Sequence, residues 1–354
     1  MSLHSWGWNS HFESQWQRAG RSGEVPARVV EEQKDMFRVR TECAEIWAEL
    51  SGRLHYEAAR REDLPAVGDW VAVRVSPDGL RGIVTAALPR RTKLSRKVAG
   101  RRNEEQVLAA NVDTIFHVTA LDRDFNPRRI ERYLAMIAAS GARSAVLLNK
   151  ADLASDAKNR LAQAQSAAPG VDVFLVSAAT GQGIECLESY LKPGETLAFV
   201  GSSGVGKSSL INQLLGEDRF SVQPILQDTG RGRHTTTSRH LVALPGGALL
   251  IDTPGMRELE PWDAGDAVGS AFAEIESLAA ECRFRDCAHQ GEPGCALALA
   301  VETGQLGAAR LAGYQKLRRE MRFQETKNDA AARAEQKRRW KQLHKAAKEF
   351  YNSR

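Results

Sequence analysis

The order of two short segments constrains this chain more than any other feature. "GSSGVGKSSLIN", Gly201 to Asn212, satisfies the pattern G-x-x-x-x-G-K-[ST], with Gly201, Gly206, Lys207 and Ser208 at the required positions. "LLNKADL", Leu147 to Leu153, has the form of an N-K-x-D base-reading loop and stands some fifty residues earlier. Where both segments occur in one ordinary nucleotide-binding domain, the glycine-rich loop comes first. Any fold for this chain must accommodate the reversal.

The context of each segment supports its reading. "TLAFV" before the glycine-rich loop has the pattern of a buried strand, and "SSLINQLLG" after it that of a helix. Glycine lets the backbone wrap a phosphate chain. Successive N–H groups from Ser202, Ser203, Gly204 and Val205 through to Ser209 at the helix start then face the anion. Lys207 would neutralise the outer phosphates, and Ser208 would hold Mg²⁺. In "NKAD" the Asp152 carboxylate can accept from N1–H and N2–H₂ of guanine, a pair that adenine lacks. Asn149 can reach the base edge and the Lys150 stem can lie on its face. "VSAATGQG" supplies Ser177 and Ala178 at another strand end, where backbone N–H groups can meet the guanine oxygen. "DTPG" places Asp252 near the Mg²⁺ shell and Gly255 near the γ-phosphate.

If the strands of an ordinary GTPase sheet run one to six, these run four, five, six, one, two, three. That is a circular permutation, tolerable because domain termini tend to lie close together at the surface. "YLKPGET", Tyr190 to Thr196, would join the old ends.

A chain of 354 residues exceeds one ordinary core, so several domains are expected. Residues 1–24 read as an N-terminal extension bearing Trp6, Trp8 and Trp16, either a flexible segment whose tryptophans dock on the body or a stacking surface for RNA bases. From 25 to 92, "PARVVEEQ", "MFRVRTE", "EIWAELSG", "DWVAVRV" and "RGIVTAAL" alternate with turn signals. Five short strands suit a small β-barrel. An OB-fold is the commonest choice, although other small barrels read the same way. Residues 93–111 read as a basic linker, 112–262 as the permuted α/β domain, 263–325 as a helical domain and 326–354 as a basic helical tail.

Charge points to a polyanion. "PRRTKLSRKVAGRR", Pro89 to Arg102, holds seven cations and no acid, and from Arg310 to Arg354 there are 14 Lys and Arg against 5 Asp and Glu. No apolar run approaches a membrane span, and the N-terminus lacks the basic and apolar regions of a signal peptide. The expectation is a cytoplasmic monomer without a membrane partner.

Five cysteines, three of them clustered, suit a metal site in a reducing compartment better than a disulfide framework. In "ECRFRDCAHQGEPGC" the spacing C-x₄-C-x-H-x₅-C makes Cys282, Cys287, His289 and Cys295 a closed four-ligand set for one structural zinc per chain. Cys43 and Cys186 read as inert core thiols, and His117 as a core or strand-end histidine.

The permuted order, the zinc spacing and "GRHTTT" together resemble the bacterial small-ribosomal-subunit-dependent GTPases, the RsgA family, over residues from about 25 to 325. The resemblance implies an OB-fold, a circularly permuted P-loop GTPase domain and a C-terminal zinc-binding helical domain. It also implies a hydrolase, turning GTP into GDP and phosphate, that binds the small ribosomal subunit and its rRNA late in maturation and is stimulated by it. A GTP-gated RNA-binding protein acting on another RNA is the alternative reading. Where many GTPases place a water-orienting Gln, this chain has Met256, so slow intrinsic turnover is expected. In "GRGRHTTTSR", Thr236 is the candidate switch threonine on Mg²⁺ with Thr235 close behind. His234 is the candidate catalytic group, or else a loop residue that contacts RNA.

Overall fold

In the computed structural model, which describes residues 2–33, 36–97, 105–122, 125–216, 239–252, 272–284, 287–289, 292–308 and 310–315, the alternating segments after residue 24 close into a barrel. Its strands are β1 (Val25–Gln33), β2 (Met36–Arg40), β3 (Glu45–Leu50), β4 (Trp70–Val75) and β5 (Arg81–Ala87). β1 pairs with β2, β2 with β3, β3 with β5 in parallel, β5 with β4, and β4 returns to β1. This is a closed five-stranded OB-type barrel, with the short helix α2 (Gly52–Glu57) between its third and fourth strands. Inward residues such as Val29, Val39, Ile46, Val73 and Val84 are buried, as the period-two pattern requires.

The N-terminal segment is not a free extension. A short 3-10 turn at Leu3–Trp6 leads into α1 (Ser10–Ala19), whose start is capped by the Asn9 side chain. The Trp8 ring lies 4.7 Å from Trp70 edge-on, and Phe12 lies 5.8 Å from the same ring. Trp6, Trp8 and Phe12 are buried. These two tryptophans are barrel-end core and offer no stacking face.

The residues read as a basic linker form a ribbon, β6 (Lys93–Lys97) against β7 (Glu105–Ala110). Leu94, Val107, Leu108 and Ala109 are buried beneath it. Three cations in or just before it are engaged within the fold. Arg90 grips buried Asp69 at 2.7 Å and the carbonyls of Glu62 and Leu64, Lys93 reaches Glu62 and Glu105, and Arg91 pairs with Asp113. Three of the seven cations assigned to a polyanion are thus partnered by acids distant in sequence.

Alternating strands and helices follow: β8 (Thr114–Ala120), α3 (Pro127–Ser140), β9 (Arg143–Asn149), α4 (Ala157–Ala167), β10 (Asp172–Leu175), β11 (Thr196–Val200), α5 (Lys207–Leu215), β12 (Arg239–Ala243) and β13 (Leu249–Asp252). α3 shows why such a segment becomes a helix here. Asn126 caps its first turn, Pro127 sits at the first helical position, and Gly141 closes it at φ 80°. The strands lie in the order β10-β9-β8-β11-β13-β12, parallel except for the final hairpin. Counted from the strand before the glycine-rich loop, the spatial order is 2-3-1-4-5-6 read from the hairpin edge. The circular permutation is therefore visible in the sheet. At the joined ends the Gly194 N–H donates to Gly247 O, and Leu249 N–H to Glu195 O, both at 2.8 Å.

The two sheets are one. Beyond the barrel, β1 pairs antiparallel with β12, at Glu31 with His240 and Glu32 with Arg239, giving eleven continuous strands. Arg28, 1 % exposed, crosses this joint. Its guanidinium donates to the carbonyls of Trp6, Gly68 and Asn111 and to Thr196 Oγ1. Burial lowers its pKa to about 10, still charged at neutral pH.

A second compact unit comprises residues 100–103 and 263–354. Its helices α6 (Ala273–Ala279) and α7 (Ala296–Glu302) bury Ile275 and Leu297, and Tyr314 Oη donates to Glu276 at 2.6 Å. Among the described residues no helix is long and apolar enough to cross a membrane.

Candidate nucleotide site and metal cluster

The glycine-rich loop begins where β11 leaves the sheet. Gly201 has φ 147°, and a Cβ there would collide with the Val118 carbonyl of the adjacent strand. A Cβ on Gly206, φ 95°, would collide with the Asn149 amide. Both positions therefore need glycine for close approach as well as for conformation. Lys207 opens α5 and folds its Nζ back onto the carbonyls of Gly201 and Ser202 at 2.7 and 2.6 Å. Those oxygens hold the ammonium over the loop where an anion would bind. Ser202, Ser208 and Ser209 are half-buried, Ser203 and Gly204 exposed, and Val205 buried.

Asn149, buried at the end of β9, ties three loops together. Its Nδ2 donates to Val205 O at 2.7 Å in the glycine-rich loop, and its Oδ1 accepts from the Ala178 N–H at 2.9 Å. The side chain expected at the base edge is thus also the brace that sets base loop against phosphate loop. Lys150 has φ 62° and its Nζ meets Asp122 at 3.0 Å, which fixes the direction of its stem. Asp152 is exposed in the 3-10 turn Ala151–Leu153, open to a ligand. Ser177 is buried, its N–H bonded to Gln182 O and its Oγ to the Thr180 N–H. The N–H groups of Ser177 and Ala178, expected to meet a guanine oxygen, both have protein acceptors here. Asp252 ends β13. Gly255, His234, Thr235, Thr236 and Met256 lie outside the described residues.

His117 on β8 is buried, and its ring stacks on Tyr133 of α3 at 4.2 Å and 18°. Burial first, then Lys207 and Arg129, push its pKa down to about 3, with the Val200 backbone acting weakly the other way. It is the core histidine that the strand pattern implied. Cys43 is not a core thiol. The turn Thr41–Ala44, closed by a 2.9 Å backbone bond, turns it to solvent. Cys186 is half-buried, and burial pushes its thiol up to about 11.

In the second unit the ligand atoms of Cys282, Cys287, His289 and Cys295 all lie within 4.8 Å of one another. His289 Nδ1 is 3.5 Å from the Cys282 sulfur and 3.6 Å from that of Cys295. A tetrahedral zinc with ordinary Zn–S and Zn–N lengths would set its donors about 3.5–3.8 Å apart. His289 adopts φ 59°, a left-handed backbone that turns its imidazole into the cluster, and its carbonyl accepts from Gln315 at 2.6 Å. The donor set fits a metal.

Comparison with known proteins agrees with this arrangement. Residues 87–262 match the family model described as "RsgA GTPase". A protein of Opitutus terrae named small ribosomal subunit biogenesis GTPase RsgA is 48% identical over 97% of this chain and 96% of its own length. The chain belongs to the RsgA GTPase family. Another RsgA, from Syntrophotalea carbinolica, is 41% identical over 99% of this chain and 98% of its own. The crystal structure of YjeQ from Thermotoga maritima superposes with a TM-score of 0.64 at 26% identity, covering 84% of this chain and 98% of that one. The RsgA membership, the OB barrel and the permuted GTPase fold thus stand as the sequence implied. What motif reading missed in this RsgA chain is Asn149 as a brace and the Lys150–Asp122 pair. The first needed the three loops placed in space, and the second joins residues 28 positions apart.

Proposed function

We propose that this chain hydrolyses GTP during maturation of the small ribosomal subunit, with turnover stimulated by the subunit. The observation that carries the reading is the Asn149 brace, which joins the glycine-rich, base-reading and Ser-Ala loops of one permuted sheet. Asp152 selects guanine, because a carboxylate left facing adenine would lose two hydrogen bonds. Lys207 and the loop N–H groups hold the phosphates. Ser208 and Thr236 are the candidate ligands of Mg²⁺, which supplies charge neutralisation on the phosphate oxygens when bound. Cys282, Cys287, His289 and Cys295 hold one structural zinc.

Met256 cannot orient water, so the attacking water needs another group, and His234 is the candidate. It comes into use when the subunit and its rRNA order the loop that carries it. The barrel face supplies RNA contact. The chain is read as a cytoplasmic monomer.

The test is GTP turnover by the purified protein with and without purified small subunits. Slow turnover alone and a rise of about 10²-fold or more with subunits is the expected outcome, the scale of one positioned catalytic group. Tight GTP binding with no turnover in either condition would favour a GTP-gated RNA-binding protein, to which Met256 also points.

A further inference from the structure

We propose that Arg129 is an additional phosphate-binding residue of the nucleotide site, carried by α3 and directed at the terminal phosphate of GTP. The inference rests on the GTPase reading above. Arg129 lies in the first turn of α3, and its Nη1 donates to Ser202 Oγ at 3.3 Å. Ser202 is also a point where Lys207 Nζ is held, 2.6 Å from the Ser202 carbonyl. Two cations from different elements therefore converge on one loop residue, each through an uncharged oxygen.

Arg129 is half-buried, unlike the exposed Arg128 and Arg132 on the same helix. Arg90, Arg91, Arg143 and Arg160 each hold a carboxylate. Among the described residues Arg129 has none. A half-buried guanidinium beside a loop shaped to hold an anion lacks its counter-charge, and phosphate oxygens match its planar fork.

Packing fixes the placement. Tyr133 follows Arg129 by one helical turn on the same face of α3, and its ring is stacked on His117 at 4.2 Å. His117 is paired with Val200 across β8 and β11, and Gly201 follows Val200 directly. The stack thus ties the first turn of α3 to the root of the phosphate loop. In loops of this type the lysine reaches the β- and γ-phosphates, while backbone N–H groups cradle the inner ones. Arg129 shares Ser202 with that lysine, so it serves the outer end. Only GTP carries a phosphoryl group there.

Affinities of full-length wild type, Arg129→Ala and Arg129→Gln for GDP and for a non-hydrolysable GTP analogue test the assignment. Arg129→Ala should bind the analogue about 10- to 100-fold more weakly, the range for a charge-assisted hydrogen bond, and GDP within about threefold of wild type. Arg129→Gln retains a donor for Ser202 without the charge. It should behave like the alanine variant, and it decides the matter if that variant fails to fold. Unchanged analogue affinity, or equal losses for both nucleotides, would overturn the role of Arg129 and leave the GTPase reading intact. A wild-type chain that binds neither nucleotide would overturn both.

Discussion

His117 illustrates how far a single residue could be read before the fold was known. Its place in an apolar run marked it as core, and it is 1 % exposed. Its surroundings, Lys207 and Arg129 from the phosphate site and the Tyr133 ring, come from elements far apart in sequence and were not legible. A pH dependence follows. The folded state keeps the imidazole neutral down to about 3, whereas the unfolded chain protonates it near its ordinary value. As pH falls below about 6.5 the unfolded state alone takes up the proton, so stability falls through that window towards pH 3. The loss from this group is about 2 kcal/mol between pH 7 and pH 5. Urea midpoints at the two pH values should therefore converge in His117→Leu relative to wild type; an undiminished difference would mean that the ring is not held neutral. Asn149 gives the complementary lesson. Its motif predicted a nucleotide contact, and only the assembled loops disclose the brace.

Elements with apolar strands were legible because burial on both faces leaves a continuous run, as in β8, β9 and β11. The ribbon of β6 and β7 was not, because its cations mask the apolar residues beneath them. Arg90, Arg91 and Lys93 there are paired with Asp69, Asp113 and with Glu62 and Glu105, acids that lie far off in sequence. α1 was missed for a similar reason, since the ring that buries Trp8 belongs to Trp70, sixty-two positions away. The Cys/His cluster was legible from spacing alone, and its prediction concerns the second unit. Its described residues include two seven-residue helices and helical residues 310–315, and a small helical unit of this kind gains most from a metal staple. Metal analysis should find about one zinc per chain. Cys287→Ala should lose it and expose the second unit to limited proteolysis, while GDP affinity stays within about threefold of wild type. A metal-free chain that resists protease equally would refute a structural zinc.

For the whole molecule, charge was the weakest guide, since three cations of the first basic run are engaged internally. The second run, Arg310 to Arg354, has nine more cations than acids, and its residues beyond 315 lie outside the described structure. If it meets phosphates, removing residues 326–354 should weaken binding to small subunits and flatten the dependence of log affinity on log salt, by about 0.7–0.9 for each phosphate that the tail neutralises. Equal slopes would assign the tail to solvent. The sheet that runs through both β-domains has a further consequence, for the time course of folding. Arg239 and Glu32, the residues that join the barrel to the hairpin, are 207 positions apart. Closing so long a loop costs entropy before any pairing returns it. As the chain is synthesised, the barrel can close on its own strands while the far end of β1, already laddered to β2 on one side, has its other edge open. That edge is covered only after the nucleotide loops and β12 have been made, so the joint between the barrel and the nucleotide domain cannot close before more than two thirds of the chain exists.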